Sequence, residues 1–533
     1  MDREQIQQAL DMFSGYLYDE EEVELKTYPL YHDIYKKLML PVKDNLCFSS
    51  AFVVLLAHFS RPLNFFKFYI DLKQEANQPK VPMNFYGINI LKSGGGKGLT
   101  NNIVKGLLDF DYTKEKFVEG IEEDLSEGKN PNELKDLHKS IKKLQTIVGA
   151  EEQASATTAG MRKIDAMLKD VFYDLDIKQD KWIGSAFYNL QELADSLENS
   201  SSHDKDFFST LKEMYDLGEF LAKALNDDIK GQIKQFYISF LGATTDKTLQ
   251  NNPNTTKMFN NYLISGNARR SVLCFPCKTE STIVEQQKKC TDGLSLWDLY
   301  QTKRYVEDDE IRDIKAKVKN NIKRLCVMAR RGQRSLTISD KCHFYYSIYK
   351  YLCAERAKTE KNAILELEIE NRFWKALKIS GILAIYDGAF EISEDYFCEA
   401  VKIVEYYSHH FKRCLNNRVM DVTDKIVEIL ICARKNKKRC GVLNTDLRSN
   451  SEVLSYNSRG LTPNDFIKKV MPDVEENLEL AGYKLITAKF GYNNKVIVYS
   501  AVPDNWQNPK ISEKEPYYVW DDVPKDNKGE DDD

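Results

Sequence analysis

A glycine-rich segment at residues 93–100, with the sequence SGGGKGLT, constrains the fold of this chain more than any other feature. It follows the apolar run Phe85–Leu91 and precedes Leu99–Leu108, where apolar residues recur at helical spacing. Adjacent glycines let several backbone N–H groups face one concavity, and the following helix directs the positive end of its dipole there. Strand, glycine-rich loop and helix in this order predict a phosphate-binding site in an α/β core.

The lysine of this segment supplies a mobile positive charge for the β- and γ-phosphates of ATP. The match to the pattern GxxxxGK[ST] is imperfect, because Leu91 replaces the first glycine and Gly98 replaces the hydroxyl that binds Mg²⁺. Thr100 is the substitute hydroxyl expected to bind Mg²⁺, and a flexible glycine turn is the alternative interpretation. The residues predicted to bind ATP are Ser93, Gly94, Gly95, Gly96, Lys97, Gly98, Leu99 and Thr100.

Three further apolar runs predict strands of the same sheet, at Ile183–Leu190, Phe236–Leu241 and Val272–Phe275. Helical patterns separate them, which favours a largely parallel sheet. Near the C-terminus, helical patterns are followed by two β-rich runs, Tyr483–Thr487 and Lys495–Tyr499, an order typical of a winged helix.

The predicted organisation has five parts. They are a helical N-terminal region at 1–80, a P-loop ATPase core at 81–300 with a helical hairpin insertion at 113–148, a helical lid module at 301–415, a winged-helix domain at 416–502, and a disordered acidic tail at 503–533.

Polar residues at the predicted strand ends are candidates for catalysis. Glu192 follows one strand and is expected to activate water and bind Mg²⁺, although Gln191 stands where such sites carry Asp; an ordinary helix-capping residue is the alternative. Thr244 and Thr245 end another strand; Thr244 is expected to act as a sensor of the γ-phosphate, and the alternative is that either threonine caps the next helix. Arg269 and Arg270 precede the last strand. One of them is expected to deliver a guanidinium to the nucleotide of a neighbouring subunit, and the alternative is a surface ion pair.

Taken in order, these segments resemble the replication ATPases of phages, plasmids and mobile elements, which are similar to hexameric replicative helicases. The likeness covers residues 82–408 and rests on GINILKSGGGKG, SATTAGM, GSAFYNLQEL, SFLGATT, SGNARRSVLCFP and ENRFWKALKISGILAI. It implies a RecA/AAA+-like core in which Glu192 activates water, Thr244 acts as a sensor, and Arg269 or Arg270 acts as a finger or sensor. It also implies that Arg372 or Lys375 of the lid reaches the nucleotide.

The net charge of −5 argues against a protein that binds nucleic acid over its whole surface, so DNA binding would require local clusters of basic residues. Basic residues cluster at 315–334 and at 434–439, and a solvated face is the alternative for both; in the first cluster acids interleave with the basic residues. The acidic tail is expected to imitate DNA, to recruit a replication partner or to aid solubility. The residues predicted to contact DNA are Arg330, Arg331, Arg434, Lys437, Lys438 and Arg439.

Eleven cysteines scattered along the chain predict reduced thiols, and Cys274 reads as a buried thiol rather than as a zinc ligand with Cys277 and Cys290. The longest strongly apolar run, Ala51–Ala57, is too short to span a membrane, and the N-terminus has no secretory pattern. We therefore expect no membrane partner and a cytoplasmic location, which is the host cytoplasm if the protein is viral.

The function expected from these features is an ATP-driven DNA helicase or translocase that acts as a ring oligomer, as a hexamer by the resemblance, on single-stranded DNA. One alternative is an ATP-switched replication initiator or loader that binds origin duplex DNA through its winged helix. The other is a nucleotide-binding interaction protein with a degenerate P-loop.

Overall fold

The computed structural model divides the chain into two compact units, Met1–Asn416 and Asn417–Asp533. The residues that it describes are 3–18, 29–40, 46–72, 80–91, 96–153, 158–198, 202–219, 223–225, 228–230, 235–251, 253–275, 309–416, 426–427, 429–431, 433, 442–450, 462–480, 483–490, 496–503, 509–511 and 519–521.

The described helices of the first unit alternate with its strands. The α-helices are α1 Arg3–Tyr18, α2 Pro29–Asp33, α3 Phe48–Phe65, α4 Lys97–Leu108, α5 Phe110–Ser126, α6 Pro131–Gly149, α7 Thr158–Asp174, α8 Leu193–Glu198, α9 Ser202–Leu217, α10 Asp246–Asn251, α11 Pro253–Tyr262, α12 Asp309–Arg330, α13 Asp340–Ala357, α14 Ala363–Glu370, α15 Arg372–Tyr386 and α16 Glu394–Asn416. The strands are β1 Tyr69–Asp71, β2 Lys80–Pro82, β3 Tyr86–Leu91, β4 Glu152–Gln153, β5 Ser185–Leu190, β6 Lys223–Leu225, β7 Asp228–Lys230, β8 Tyr237–Thr245, β9 Ser271–Cys274, β10 Ser335–Ile338 and β11 Glu391–Ile392.

Five parallel strands form the central sheet, in the order β4-β5-β8-β3-β9. This sheet confirms the expected α/β core with a largely parallel sheet. Strands β3, β5 and β9 are buried along their whole length, because helices cover both faces of such a sheet. A smaller sheet has the order β11-β10-β1-β2, in which β2 is antiparallel to β1.

Helix α3 packs against β3, β5 and β8 and is buried from Ser49 to Phe65. Its approach to the sheet requires a residue without a side chain in β3. A Cβ atom added at Gly87 would lie only 2.7 Å from Val53 Cγ1. The polar residues of α3 are therefore buried beside the sheet, where each needs an internal partner.

The connections that leave β3 and β8 run in opposite directions. From β3 the chain passes through α4, α5 and α6 to β4, beyond β8 and β5 in the sheet. From β8 it passes through α10 and α11 to β9, on the other side of β3. Ligands of open parallel sheets bind in the crevice that such a divergence opens outside the carboxyl ends of the strands. In the sequence, the glycine-rich segment comes between β3 and α4.

Helices α5 and α6 pack against each other, at the position where the sequence predicts a hairpin. Asn130 caps α6: its side chain accepts hydrogen bonds from the backbone of Asn132 and Glu133, and the Glu133 side chain bonds the Asn130 N–H in return. This reciprocal arrangement satisfies N–H groups that a helix start leaves free. Across the described residues, no helix combines the length and the apolar character that crossing a membrane requires.

The second unit contains helices α17 Asn444–Ser449 and α18 Pro463–Leu480, and strands β12 Val442–Leu443, β13 Tyr483–Phe490 and β14 Val496–Pro503. Strand β14 lies between β12 and β13 and is antiparallel to both. Apolar residues of α18, among them Ile467, Val474 and Leu478, form the core of this unit with Tyr499 and Ala501 of β14.

The predicted disordered tail requires a correction at six residues. Strands β15 Pro509–Ile511 and β16 Val519–Asp521 pair in antiparallel register inside it. Alternating backbone hydrogen bonds order these short runs, although prolines and acids dominate the local composition. The acidic residues 522–533 lie outside the described part of the chain.

Candidate functional site

Gly96 joins the glycine-rich segment to α4. Its φ of 89° is a left-handed conformation that glycine adopts without strain, and α4 begins at the next residue, Lys97. Gly98 in the first turn is exposed. The first N–H groups of a helix have no intrahelical partners, so this end of α4 suits an anion. Ser93, Gly94, Gly95 and the Lys97 side chain lie outside the described structure.

Thr100 is buried one turn into α4. Its backbone N–H and its hydroxyl both donate to the Gly96 carbonyl, at 3.0 and 3.1 Å. The hydroxyl therefore orders the end of the loop, while its oxygen keeps lone pairs for a further partner. Leu99 is half-buried beside it.

Glu192 and Thr244 lie near the carboxyl ends of neighbouring strands. Leu190, the last residue of β5, pairs with Gly242 of β8; Glu192 follows two residues later in a turn, and β8 continues through Thr244 to Thr245. Thr244 in turn pairs with Ile90, next to the last residue of β3. Because all three strands are parallel, Thr244, the end of β5 that precedes Glu192 and the end of β3 that precedes the glycine-rich segment share the carboxyl edge of the sheet.

The structure separates the two threonines that the sequence left as alternative helix caps. Thr245 is the cap, because its Oγ1 accepts the Thr248 N–H at 3.1 Å and lies 2.6 Å from the Thr248 hydroxyl. The Thr244 hydroxyl is fully buried and has no hydrogen-bond partner in the described part of the chain. The Glu192 side chain is exposed.

Arg269 and Arg270 lie at the opposite, amino edge of the sheet. They precede β9, whose first residue Ser271 is level with Tyr86 at the start of β3. Strand β3 spans about 16 Å, so neither arginine lies beside the glycine-rich segment of its own chain.

These two arginines differ in their partners. Arg270 is buried and donates to the Asp216 carboxylate at 2.6 Å and to the Gly266 carbonyl at 2.9 Å. Arg269 is partly exposed and has no ion pair with a described residue. Burial and the neighbouring Arg270 lower the pKa of the Arg269 guanidinium. Arg270 therefore has a structural ion pair, and Arg269 is the one available to another molecule.

Arg372 and Lys375, one of which the resemblance expects to reach the nucleotide, both lie in a buried ionic cluster. Arg372 Nε lies 2.8 Å from Glu368 and its Nη1 2.7 Å from Glu405, while Lys375 Nζ lies 2.6 Å from Glu368. All four residues are buried, and Lys375 also donates to the carbonyl of Ser271, at the amino edge of the sheet. Their charges balance one another there, away from the carboxyl edge.

A buried polar cluster beside the carboxyl edge has no counterpart among the sequence predictions. At one end, Arg61 Nη2 and Nε lie 2.6 and 3.2 Å from the two carboxylate oxygens of Glu151, and Lys114 lies 3.3 Å away. Burial opposes ionisation of Glu151, but Arg61 and Lys114 outweigh it and hold its pKa below the ordinary value.

The cluster continues to the strand ends through His58 of α3, Asn101 of α4 and Asn189 of β5, and it ends at Gln191. Burial and Arg61 lower the pKa of His58 to about 4, so its ring is neutral at pH 7. These residues come from separate segments of the chain, so no local motif signals the cluster. Only their polar character within otherwise apolar elements marks them in the sequence.

Helix α12 presents basic residues to solvent. Its buried residues are Ile311, Ile314, Val318, Ile322, Leu325 and Ala329, and its exposed positions include Lys317, Lys319, Lys323, Arg324 and Arg330. Arg330 lies 3.2 Å from the Asp124 carboxylate, and Arg331 is exposed beside it. Arg434, Lys437, Lys438 and Arg439 lie outside the described residues.

Cys274 is fully buried in β9, and its Sγ lies 3.4 Å from the Ser49 hydroxyl, as expected for a buried thiol. Cys277 and Cys290 lie outside the described residues.

The fold and the candidate site together define a parallel α/β protein with polar residues gathered at the carboxyl edge of its sheet. No protein-family model matches the chain, and no curated protein matches it either.

Proposed function

We propose that this protein is a Mg²⁺-dependent ATPase that acts on DNA during replication, as a cytoplasmic ring oligomer of the hexameric-helicase type. The observation that carries the proposal is the convergence, at one sheet edge, of the glycine-rich segment, Glu192 and the unpartnered Thr244 hydroxyl. The DNA and oligomer parts rest on the sequence resemblance and on the placement of basic residues.

In this proposal the backbone N–H groups at the start of α4, together with Lys97, hold the phosphates of ATP. The exposed Glu192 carboxylate orients the attacking water and accepts its proton, as the bond to the terminal phosphate breaks to release ADP and phosphate. The Thr244 hydroxyl donates to the terminal phosphate or to the water.

The residues fit a magnesium ion. The Thr100 hydroxyl oxygen keeps lone pairs beside the glycine-rich segment, and Glu192 offers an exposed carboxylate on the neighbouring side. Oxygen ligands of this kind suit Mg²⁺. When bound, the ion would neutralise charge on the β- and γ-phosphates.

A ring accounts for the position of Arg269. This guanidinium lies at the amino edge of its own sheet and has no ion pair in the described structure, so it serves a nucleotide held by the adjacent subunit. Closed cyclic symmetry repeats that contact at every interface. Arg270 supports the segment through Asp216 instead.

Basic residues on the exposed face of α12, including Arg330 and Arg331, are the DNA-binding surface of this proposal. Local clusters of this kind neutralise phosphates, and ring channels hold single strands through basic grooves. The acidic tail would recruit a replication partner.

A second candidate is an ATP-switched initiator or loader that binds duplex DNA. Helix α18 followed by the β13–β14 hairpin favours it, because a winged helix has that order of elements. The third alternative, a nucleotide-binding interaction protein, draws on Gly98 and Gln191, which depart from the usual pattern of a hydrolysing site.

The test is steady-state ATP hydrolysis with Mg²⁺, with and without single-stranded DNA. We expect turnover that rises with DNA and disappears in Lys97→Ala. Lys116→Ala is the matched control, because Lys116 is an exposed lysine on α5 that pairs with nearby Glu119.

Equilibrium binding of ATP to the same preparations separates the alternatives. Binding without turnover, combined with selective duplex binding, favours the initiator. Binding without turnover or DNA binding favours the interaction protein. Absence of nucleotide binding, or turnover that survives Lys97→Ala, contradicts the proposal.

A further inference from the structure

We infer that Gln191 turns its side-chain carbonyl oxygen toward the carboxyl edge of the sheet as a neutral ligand for the metal ion, and that His58, Asn101 and Asn189 position it. This inference rests on the proposed function, because it concerns the metal that accompanies ATP. It explains how the site works with glutamine where an acid is expected.

The first anchor of this orientation is Arg61, which can only donate hydrogen bonds. Its Nη1 lies 3.2 Å from His58 Nδ1, so that ring nitrogen accepts. In a neutral imidazole the other nitrogen then carries the proton. His58 Nε2 therefore donates to Asn101 Oδ1, at 2.6 Å.

The second anchor is Glu152, whose carboxylate can only accept. It is held by Lys105 at 2.8 Å and by Arg61 at 3.4 Å. Asn189 places one atom 3.3 Å from this carboxylate and 3.2 Å from Asn101 Oδ1. Both neighbours are acceptors, so the atom is the amide nitrogen of Asn189.

The orientation of Gln191 follows from these two anchors. Since the nitrogen of Asn189 faces Glu152 and Asn101, its oxygen faces Gln191 and accepts the Gln191 amide nitrogen at 2.5 Å. The Gln191 oxygen is left on the other side of the amide, and it has no hydrogen-bond partner in the described part of the chain. The polarity of every bond is thus set by charged groups that cannot reverse their roles.

The oxygen belongs to the residue that stands where such sites carry an acid. Gln191 is half-buried, follows the last residue of β5 and precedes Glu192. Carbonyl oxygens suit Mg²⁺, and a neutral ligand attracts it less strongly than a carboxylate does. A reversed amide would present N–H groups and repel the cation.

The test is equilibrium binding of a non-hydrolysable ATP analogue, measured in Mg²⁺ and again in EDTA. The readout is the factor by which Mg²⁺ tightens binding. In Gln191→Met, which keeps the length and loses the oxygen, we expect this factor to fall on the order of tenfold while metal-free affinity is unchanged. Gln191→Glu should raise the factor.

Substitutions of the positioning residue complete the test. His58→Leu removes the donor and should lower the same factor, whereas His58→Gln keeps an amide donor and should restore it. Asn189→Leu serves the same purpose if His58→Leu does not fold. Lys116→Ala is the control and should leave both affinities unchanged.

The outcomes separate the two proposals. No binding of the analogue in either buffer contradicts the proposed function itself. If Mg²⁺ tightens binding of the analogue to Gln191→Met by the same factor as in the wild type, the inference is overturned and the proposed ATPase function is unaffected. Equal losses in Mg²⁺ and EDTA in His58→Leu, together with a lower melting temperature, assign His58 a structural role only and overturn its positioning role.

Discussion

Because the His58 ring is buried and neutral, we expect the protein to lose stability in mild acid. Its pKa is about 4 in the folded protein and about 6.5 in an unfolded chain, because burial and Arg61 disfavour the charged ring. The unfolded chain therefore takes up the proton first. The contribution of this residue is complete above pH 6.5 and is lost as the pH falls toward 4.

The size of the effect follows from the two pKa values. A shift of this size makes folding less favourable by about 2 kcal/mol at pH 5 relative to pH 7, and by about 3 kcal/mol below pH 4. The charged groups nearest to the ring are Arg61, Glu151 and Glu152, so its protonation also places a second positive charge beside Arg61.

Urea unfolding of the full chain at pH 7, 6 and 5, followed by tryptophan fluorescence, measures this effect. His58→Gln removes the titration and keeps a donor for Asn101, so its unfolding free energy should decline by about 2 kcal/mol less than that of the wild type between pH 7 and 5. His410, whose pKa burial also lowers, remains in both proteins and cancels from the difference. Parallel pH profiles for the two proteins would refute the assignment.

Three other substitutions have distinct expected results. Arg269→Ala should abolish ATP turnover without lowering the melting temperature. Mixing this variant with Lys97→Ala should restore part of the turnover, because mixed rings contain some interfaces in which both residues are intact. Absence of recovery would argue against a site shared between subunits. Thr244→Val should reduce turnover at least tenfold without loss of unfolding free energy, because the buried hydroxyl has no partner in the described structure. Thr245→Val should instead lower the unfolding free energy by about 1 kcal/mol, because it removes the cap of α10. Glu151→Gln should lower the unfolding free energy by about 3 kcal/mol in urea titrations, because it leaves Arg61 buried beside a neutral group, and an unchanged midpoint would contradict this.

The parallel core was predictable because its signals are local. The run before the glycine-rich segment forms β3, and the predicted runs at 183–190, 236–241 and 272–275 correspond to β5, β8 and β9. Apolar runs between turn residues reflect burial within one strand, so they can be read without knowing the partners. The same locality placed Glu192 and Thr244 at strand ends.

The roles of adjacent, chemically identical residues were not predictable. Arg269 and Arg270 are neighbours in sequence, yet only Arg270 meets Asp216, which lies 54 residues away. Thr244 and Thr245 differ only because alternate residues of a strand face opposite sides, so one is buried and the other caps α10.

The sequence by itself determined a glycine-rich segment between a strand and a helix, the order along the chain of four of the five strands of the central sheet, and the acid and hydroxyl residues near their ends. Tertiary structure alone decided which strands are neighbours, that Lys375 lies at the amino edge, and that His58 joins Asn101 and Gln191 in one chain of hydrogen bonds. The physical reason is range: periodicity and turn chemistry act within a few residues, whereas the direction of a buried hydrogen bond depends on charged partners from distant segments.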